Sequence, residues 1–480
     1  MATVRKAKKK NVRASFKKSV VEDVREVSLV DTATDNLKIY GSYTLEQRAI
    51  PDYRDGLKPV HRMSMWGMKE LPAHYTDRHQ KAAKIVGLVI GNFHPHGDVG
   101  VYDAMVTMAN LPERLIDGRG NWGSPTDEAG AYRYTECRLS QYAEETLLDK
   151  DYLAVMDYVD NFSGDRKIPV ILPAKLPNLL INGSEGIGTG ASGFIPSFTK
   201  DSVVLLVKRA LKGKPITAKS CFNNLEFKFK YGGTYAGSPE DLLEYFTSGK
   251  GTLLFTPSFK MERDKIVITS FAPRFITGKS LEGRMEKYSK LANVERVQDE
   301  SDKEGWKIAI YYKKRLDEKQ LEELLNKVKQ TSVTKISLQT SITERFKDES
   351  VKFRYSSIPE VFNDWIKWRI ELEMKVIHYL ISVKEKELEK LSLLQLAAQN
   401  LDTMKRTMDV AEPIKILKKL KLNGTALTDS QADFLLELRF KQLTKLSRSK
   451  LLESIKTVKL VIVSLTKDLK DPNSRILKSL

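Results

Sequence analysis

Cysteine is nearly missing from this chain. Cys137 and Cys221 are the only two in 480 residues, too few for a disulfide framework or a cysteine-based zinc site, and their scarcity suits a reducing compartment. Long apolar runs are missing as well. None approaches the roughly 20 residues that cross a bilayer, and the basic N-terminus carries no apolar signal-peptide core. These absences predict a soluble, cytoplasmic protein with no membrane partner. Acid is absent from residues 1 to 18, which hold Arg5, Lys6, Lys8, Lys9, Lys10, Arg13, Lys17 and Lys18. Such a stretch cannot bury enough apolar surface to fold alone, so a basic, disordered arm is expected over residues 1–36, serving either DNA contact or solubility.

Positive charge, by contrast, is in excess. The chain has 80 Lys and Arg against 62 Asp and Glu, a net +18, which favours a polyanionic partner. Its length exceeds one ordinary core and predicts roughly two to four domains. Between residues 37 and 165 short helical patterns alternate with Gly, Pro and Asp punctuation. Pro59 starts a helix running to about Met68, and Asp98 caps a second one that buries Val101, Ala104, Met105 and Met108. Two such helices joined by a loop resemble a helix-turn-helix. Residues 170 to 350 hold strand-like runs at Thr252 to Phe255, Ile266 to Thr269 and Lys307 to Tyr312, separated by charged helices, which predicts an α+β domain. Beyond 360 two long helices are expected. Ile366, Ile370, Ile377, Leu380, Leu388 and Leu391 make one stripe, and Leu451, Ile455, Val458, Ile462, Leu465 and Leu469 keep the 4,3,4,3,4 spacing of a coiled-coil seam. These helices should pair antiparallel around a small globular piece, Gln431 to Leu446.

Chemistry concentrates at Arg133-Tyr134. A free phenol has a pKa of about 10, so forming phenolate at pH 7 costs roughly 4 kcal/mol. A permanently charged guanidinium beside it stabilises both that oxygen and a phosphoryl transition state. Other patterns carry less. His94-Pro95-His96 could be a metal pair, but no Cys or acidic cluster stands near it at ligand spacing, so no metal site is expected. Thr277-Gly278-Lys279-Ser280 ends like a phosphate loop, yet Pro273 stands where its first glycine belongs. Asp149-Lys150-Asp151 follows a polar stretch rather than an apolar strand.

Four segments in order resemble the breakage-reunion subunit of type IIA DNA topoisomerases, the gyrase A and topoisomerase IV C-subunit family. They are Arg48-Ala49-Ile50-Pro51-Asp52-Tyr53-Arg54-Asp55-Gly56-Leu57-Lys58-Pro59-Val60-His61-Arg62, then Gly91-Asn92-Phe93-His94-Pro95-His96-Gly97-Asp98, then Gly118-Arg119-Gly120-Asn121-Trp122-Gly123-Ser124 leading to Arg133-Tyr134-Thr135-Glu136, and finally Leu176 to Ile187. Leu436 to Thr444 is similar to the family's dimer contact at the C-gate. The resemblance implies that Tyr134 takes the 5′ phosphate of a broken strand, that Arg133 holds the scissile phosphate, and that Arg48 and His96 stabilise the transition state or manage the leaving oxygen's proton. It further implies that Lys58, His61, Arg62 and His94 contact DNA phosphates and that Ile187 wedges between base pairs. Val99 stands where many bacterial relatives carry a serine that holds quinolones through a magnesium-bound water, with Asp103 as the acidic partner.

The fold class implied is a multidomain α+β protein. It would comprise a winged-helix cleavage domain (37–165), a tower (166–355) and a long antiparallel coiled coil ending in a small globular dimer gate (356–480). Two copies would bind double-stranded DNA, and a second polypeptide with TOPRIM and ATPase parts would supply Mg2+ and ATP, giving a heterotetramer or larger complex. The chain's end soon after the returning helix suggests a compact form without a β-pinwheel, similar to the compact subunits of large bacteriophages. Two rival readings are a tyrosine recombinase, in which the tyrosine normally follows all its activating residues, and a non-catalytic DNA-bridging coiled-coil protein, which leaves Arg133-Tyr134 unexplained.

Overall fold

In the computed structural model, residues 28–124, 127–273, 280–301, 307–407, 412–422, 424–438 and 448–480 are described. The basic stretch at residues 1 to 18 lies outside them. The arm expected to reach residue 36 ends earlier, because helix α1, Leu29–Thr44, begins there, its first turn capped by the Ser28 hydroxyl. A five-residue π-helical turn, Leu45–Ala49, continues it.

Pro59 at the first position opens α2, Pro59–Lys69, as expected. A helix not foreseen in the sequence, α3 (Ala82–Asn92), comes next, and α4 covers Asp98–Ala109. The successive helices joined by a loop are therefore α3 and α4 rather than α2 and α4, and that loop holds His94 and His96. Asp98 is not the cap of α4 but its first residue. Gly97, at φ 78°, is the cap, a conformation that a side chain would oppose. The three helices pack on one another and on a three-stranded antiparallel sheet, β1 (Gln80–Lys81), β2 (Ile116–Arg119) and β3 (Glu136–Leu139), in the order β1-β3-β2. Their shared core runs from Leu57 to Ala174, past residue 165.

The second core carries the expected strands. Lys250–Thr256 lies inside a five-stranded sheet, while Lys265–Ile268 and Ile308–Tyr312 pair at the centre of a four-stranded antiparallel sheet. One edge of the five-stranded sheet is the hairpin Ser184–Gly188 and Ala191–Ile195, joined to its neighbour at Phe194 and Gln339. Beyond that pair the hairpin leaves the sheet and lies along the π turn, its tip beside Thr44.

The long helix Ile358–Gln399 starts at a capping box of Ser357 and Glu360. It packs against the returning helix Arg448–Lys470. Arg475, just beyond the returning helix and bonded to its Asp468, reaches Glu373, while Lys459 lines one cavity with Glu385 and Leu388, so the two run in opposite directions. Leu451, Ile455, Val458 and Leu465 of the expected stripe are buried. The globular piece between the helices begins earlier than Gln431. Its core gathers Leu393, Ala397, Met404, Leu417, Leu427, Ala432 and Leu435, and residues 439–447, with most of the expected gate motif, lie outside the described residues.

One turn, Pro51 to Leu57, fastens these bodies together. Asp55 accepts from Arg62 at 2.7 and 3.0 Å and from the backbone of Leu57 and Leu172 in the first core, and its carbonyl accepts from Asn178. Asp52 accepts from Arg54 and from the Arg345 amide, and Trp365 of the long helix donates to the Arg54 carbonyl at 3.0 Å. Burial alone would raise the Asp52 carboxyl, but the Arg54 guanidinium overrides it and holds the group below its ordinary value. Both carboxylates are fully buried. Removing one member of a buried ion pair strands the other, so Asp55→Ala is expected to cost about 3–5 kcal/mol. Chemical denaturation checks this, and an unchanged midpoint would reject the role given to the turn.

Candidate DNA-cleavage site

Tyr134 ends a tight turn in which its amide donates to the Ala131 carbonyl at 2.8 Å. The next residue, Thr135, is buried and locked. Its hydroxyl lies 2.9 Å from the Tyr102 hydroxyl, and its carbonyl accepts from Ala82 of α3 at 3.0 Å. A rigid base thus presents an exposed phenol, 69% accessible. The Arg133 guanidinium lies over the Tyr134 ring, 4.6 Å from its centroid. On the other side of the turn Tyr132 donates to Asp98 at 2.8 Å, which ties the loop to the first turn of α4 and holds the Asp98 carboxyl below its ordinary range.

Arg48, His94 and His96 form a second group. The imidazoles lie 4.9 Å apart between centroids. His94 is pulled down by burial and by the neighbouring His96 and Arg48, which leaves it neutral near pH 7. Arg48 is exposed on the π turn, and His96 is exposed in the loop before α4. Among the described residues no hydrogen bond or ring contact joins this group to Tyr134.

In the cluster Lys58, His61 and Arg62, expected to face phosphates, Arg62 is buried and the other two are half-buried. Arg62 is 4% accessible and spends its guanidinium on Asp55 and on the Leu57 carbonyl at 3.1 Å. A phosphate could reach it only by displacing that pair, so Arg62 is a strut of the fold. Burial, then Lys58 and Arg62, push His61 down to about 3, so it carries no charge near neutrality. Lys58 donates from Nζ to the Glu185 carbonyl at 2.6 Å, fastening the hairpin. Burial also lowers Lys58. The sequence could not separate a buried charge such as Arg62 from exposed ones. The available signal was Asp52 and Asp55 lying within ten residues of Arg62, matched partners for buried cations.

Ile187 is 79% accessible on the hairpin, one pair from the Thr189-Gly190 turn. Val99 is 65% accessible in the first turn of α4. With Asp103 it lines an open groove of about 760 Å³ that also touches Tyr102, Asp127 and Tyr132. Asp149 caps the short helix Lys150–Leu153 and pairs with Lys175 at 2.6 Å. Residues 274–279, which hold most of the phosphate-loop-like run, lie outside the described residues.

The chief features of the site are thus an exposed tyrosine on a braced turn beneath a guanidinium, a loop of two histidines before α4 and a hairpin with an exposed isoleucine. Over residues 48–479 the chain matches the DNA gyrase/topoisomerase IV A-subunit family, and it belongs to that family. It is 32% identical over 463 residues to the DNA gyrase A-subunit of Leptospira biflexa, covering 93% of this chain and 54% of that one. It is 31% identical to the DNA gyrase A-subunit of Kosmotoga olearia, covering 90% and 53%. Against the DNA topoisomerase 4 A-subunit of Pseudomonas aeruginosa it is also 31% identical, covering 90% and 57%. The chain spans about half the length of the curated relatives it matches. Among the described residues no helix is long and apolar enough to cross a membrane.

The His61 environment gives a pH test. Its folded pKa, about 3, lies below the ordinary 6.5, so between those values the unfolded chain binds a proton that the folded chain refuses. Stability from this group is complete above pH 6.5 and is lost as pH falls toward 3. His61→Gln is expected to flatten the fall in stability between pH 6.5 and 4. Parallel urea-midpoint profiles for the two proteins would sink the assignment.

Proposed function

We propose that this chain is the DNA-cleaving and rejoining part of a type IIA topoisomerase, making a transient double-strand break so that a second duplex can pass. Residues 37–165, with Leu172 and Ala174 of the same core, are read as the winged-helix cleavage domain, 166–355 as the tower, and 356–480 as the coiled coil and C-gate. Tyr134 carries the reading, because an exposed phenol braced by Thr135 and stacked on Arg133 has the geometry of a nucleophile rather than a packing residue. The Tyr134 Oη bonds to phosphorus as the bond to O3′ breaks. The phenolic proton leaves to a base, and O3′ takes one up. His96 is the group assigned to that exchange, and Arg133 and Arg48 hold the phosphoryl oxygens. One phosphoester replaces another of similar energy, so resealing is reversal and consumes no ATP.

Lys58, His61 and Arg62 are left out of the direct contact set, since the fold uses them. The DNA contacts kept are Arg48, His94, His96 and Arg133, with Ile187 as the wedge. Each tyrosine cuts one strand, so two copies are required, and a closed twofold interface would place both. Magnesium and ATP are assigned to a partner polypeptide with TOPRIM and ATPase parts, magnesium supplying charge neutralisation at the phosphate. Among the described residues no three His, Cys, Asp or Glu side chains converge on one point, and Asp149 is occupied with its helix and Lys175.

Tyr134→Phe removes only the attacking oxygen. It is expected to abolish covalent protein–DNA linkage in the reconstituted enzyme while leaving DNA binding within a few-fold. Linked breaks formed by the Phe variant would reject the mechanism.

Val99 offers no acceptor for a metal-bound water. A hydrogen bond to a charged cluster contributes about 1.5–3 kcal/mol, roughly ten- to hundredfold in affinity. Quinolone-stimulated cleavage is therefore expected to be weak and to strengthen in Val99→Ser. Equal sensitivity of the two enzymes in a cleavage titration would rule the bridge out.

A further inference from the structure

The hairpin that carries Ile187 touches the segment that carries Arg48 through glycine. Along a strand, alternate residues face opposite ways. Glu185 and Ile187 are exposed, while Gly186 and Gly188 face the π turn Leu45–Ala49. A Cβ at Gly186 would lie 2.0 Å from the Ala49 carbonyl oxygen, and one at Gly188 would lie 2.6 Å from Leu45 Cδ2. The same strand is held by Lys58, which donates to the Glu185 carbonyl at 2.6 Å. At the hairpin tip the Thr189 amide lies 3.4 Å from the Thr44 hydroxyl. The gripped turn is itself unusual. Its closing amide, Ile50, reaches back five residues to the Leu45 carbonyl at 3.1 Å, and such π turns concentrate at functional positions. Arg48 sits on it, exposed, between the contacted residues Leu45 and Ala49.

We propose that Gly186 and Gly188 are positioning residues that couple Ile187 to Arg48, so that a duplex bent around the wedge sets the Arg48 guanidinium against the scissile phosphate. The proposal rests on the reading of Ile187 as the wedge and Arg48 as a phosphate contact. At Gly186 backbone lies against the Ala49 backbone with no side chain between, which leaves no rotamer to absorb a displacement, and at Gly188 the strand bears on the Leu45 side chain. A push on Ile187 moves its strand, and the strand moves Ala49 and Leu45 with the residue between them. A misplacement of about 1 Å at a reacting group costs about a hundredfold in rate.

The test uses the full chain reconstituted with a TOPRIM and ATPase partner, on a duplex that has one cleavage site and a fluorophore pair reporting the bend. Gly186→Ala is expected to bind and bend DNA like the wild type, yet to form the Tyr134 linkage about a hundredfold more slowly at saturating DNA. In an Arg48→Ala background the same change should cause no further loss, because both act through one guanidinium. Gly188→Ala should also slow cleavage, and adding Leu45→Ala should restore it, since the atoms in the way are Leu45 Cδ2 and Cγ. This rescue pair decides the matter even if Gly186→Ala does not fold. Losses that multiply with Arg48→Ala, wild-type cleavage in both glycine variants, or a Gly188→Ala defect that Leu45→Ala does not relieve would each overturn the coupling. A different pattern marks failure of the underlying reading. Ile187→Ala bending DNA normally, or Arg48→Ala cleaving normally, would remove the wedge or the phosphate contact and the coupling with it.

Discussion

Two buried carboxylates in one turn, Asp52 and Asp55, hold the molecule to a single arrangement. Their partners come from the first core at Leu57, Arg62 and Leu172, and from the second at Arg345. The turn's own backbone meets Asn178, Thr343 and Trp365. Gly56, at φ 71°, lets this turn pass so close to the next segment that a Cβ would lie 2.4 Å from the Leu179 amide. Buried charge of this kind adds little net stability over apolar packing, but it penalises any arrangement that separates the partners. The long helix and the Tyr134 domain are therefore positioned relative to one another by the same few hydrogen bonds, and Lys58, directly after the turn, ties in the hairpin.

That choice consumes cations. Arg54 and Arg62 serve the interior, and His61 is neutral beside them, so the net charge overstates what a DNA backbone could meet in this segment. Arg48 and Arg133, the two arginines with a proposed phosphate role, stay exposed. Each is on a short element braced from behind, Arg48 by the glycine face of the hairpin and Arg133 by the Thr135 anchor. The cleavage and rejoining proposed for this site would need such rigidity more than charge, because a reacting group must return to register.

Much of the architecture was legible in local pattern. The Pro59 helix, the three strand runs and the buried stripe along the returning helix all appear where periodicity and punctuation placed them. Helix α3 was not legible because Ala82–Asn92 is apolar on most faces, and its exposed side is marked only by Lys84 and two glycines, Gly87 and Gly91, so the sequence shows little polar contrast to the buried Ala82, Ile85, Val86 and Val89. The globular piece between the long helices is larger than its local pattern suggests, since its core draws on Leu393 and Ala397, which belong by pattern to the long helix itself.

The sequence by itself determined the family of the chain, the identity of the nucleophile candidate and the run of elements along it, because ordered motifs, turn residues and hydrophobic spacing are local properties that survive without coordinates. Tertiary structure alone decided which charges face water. Arg48 and Arg62 are the same residue type fourteen positions apart, yet one is exposed on a π turn and the other closes a buried pair with Asp55. Only the fold brings Gly186 against Ala49 and Lys58 against Glu185. The partner of Arg62 is only seven positions away, but the burial of that pair and the approach of Gly186 to Ala49 depend on segments more than a hundred positions away, which local spacing does not encode.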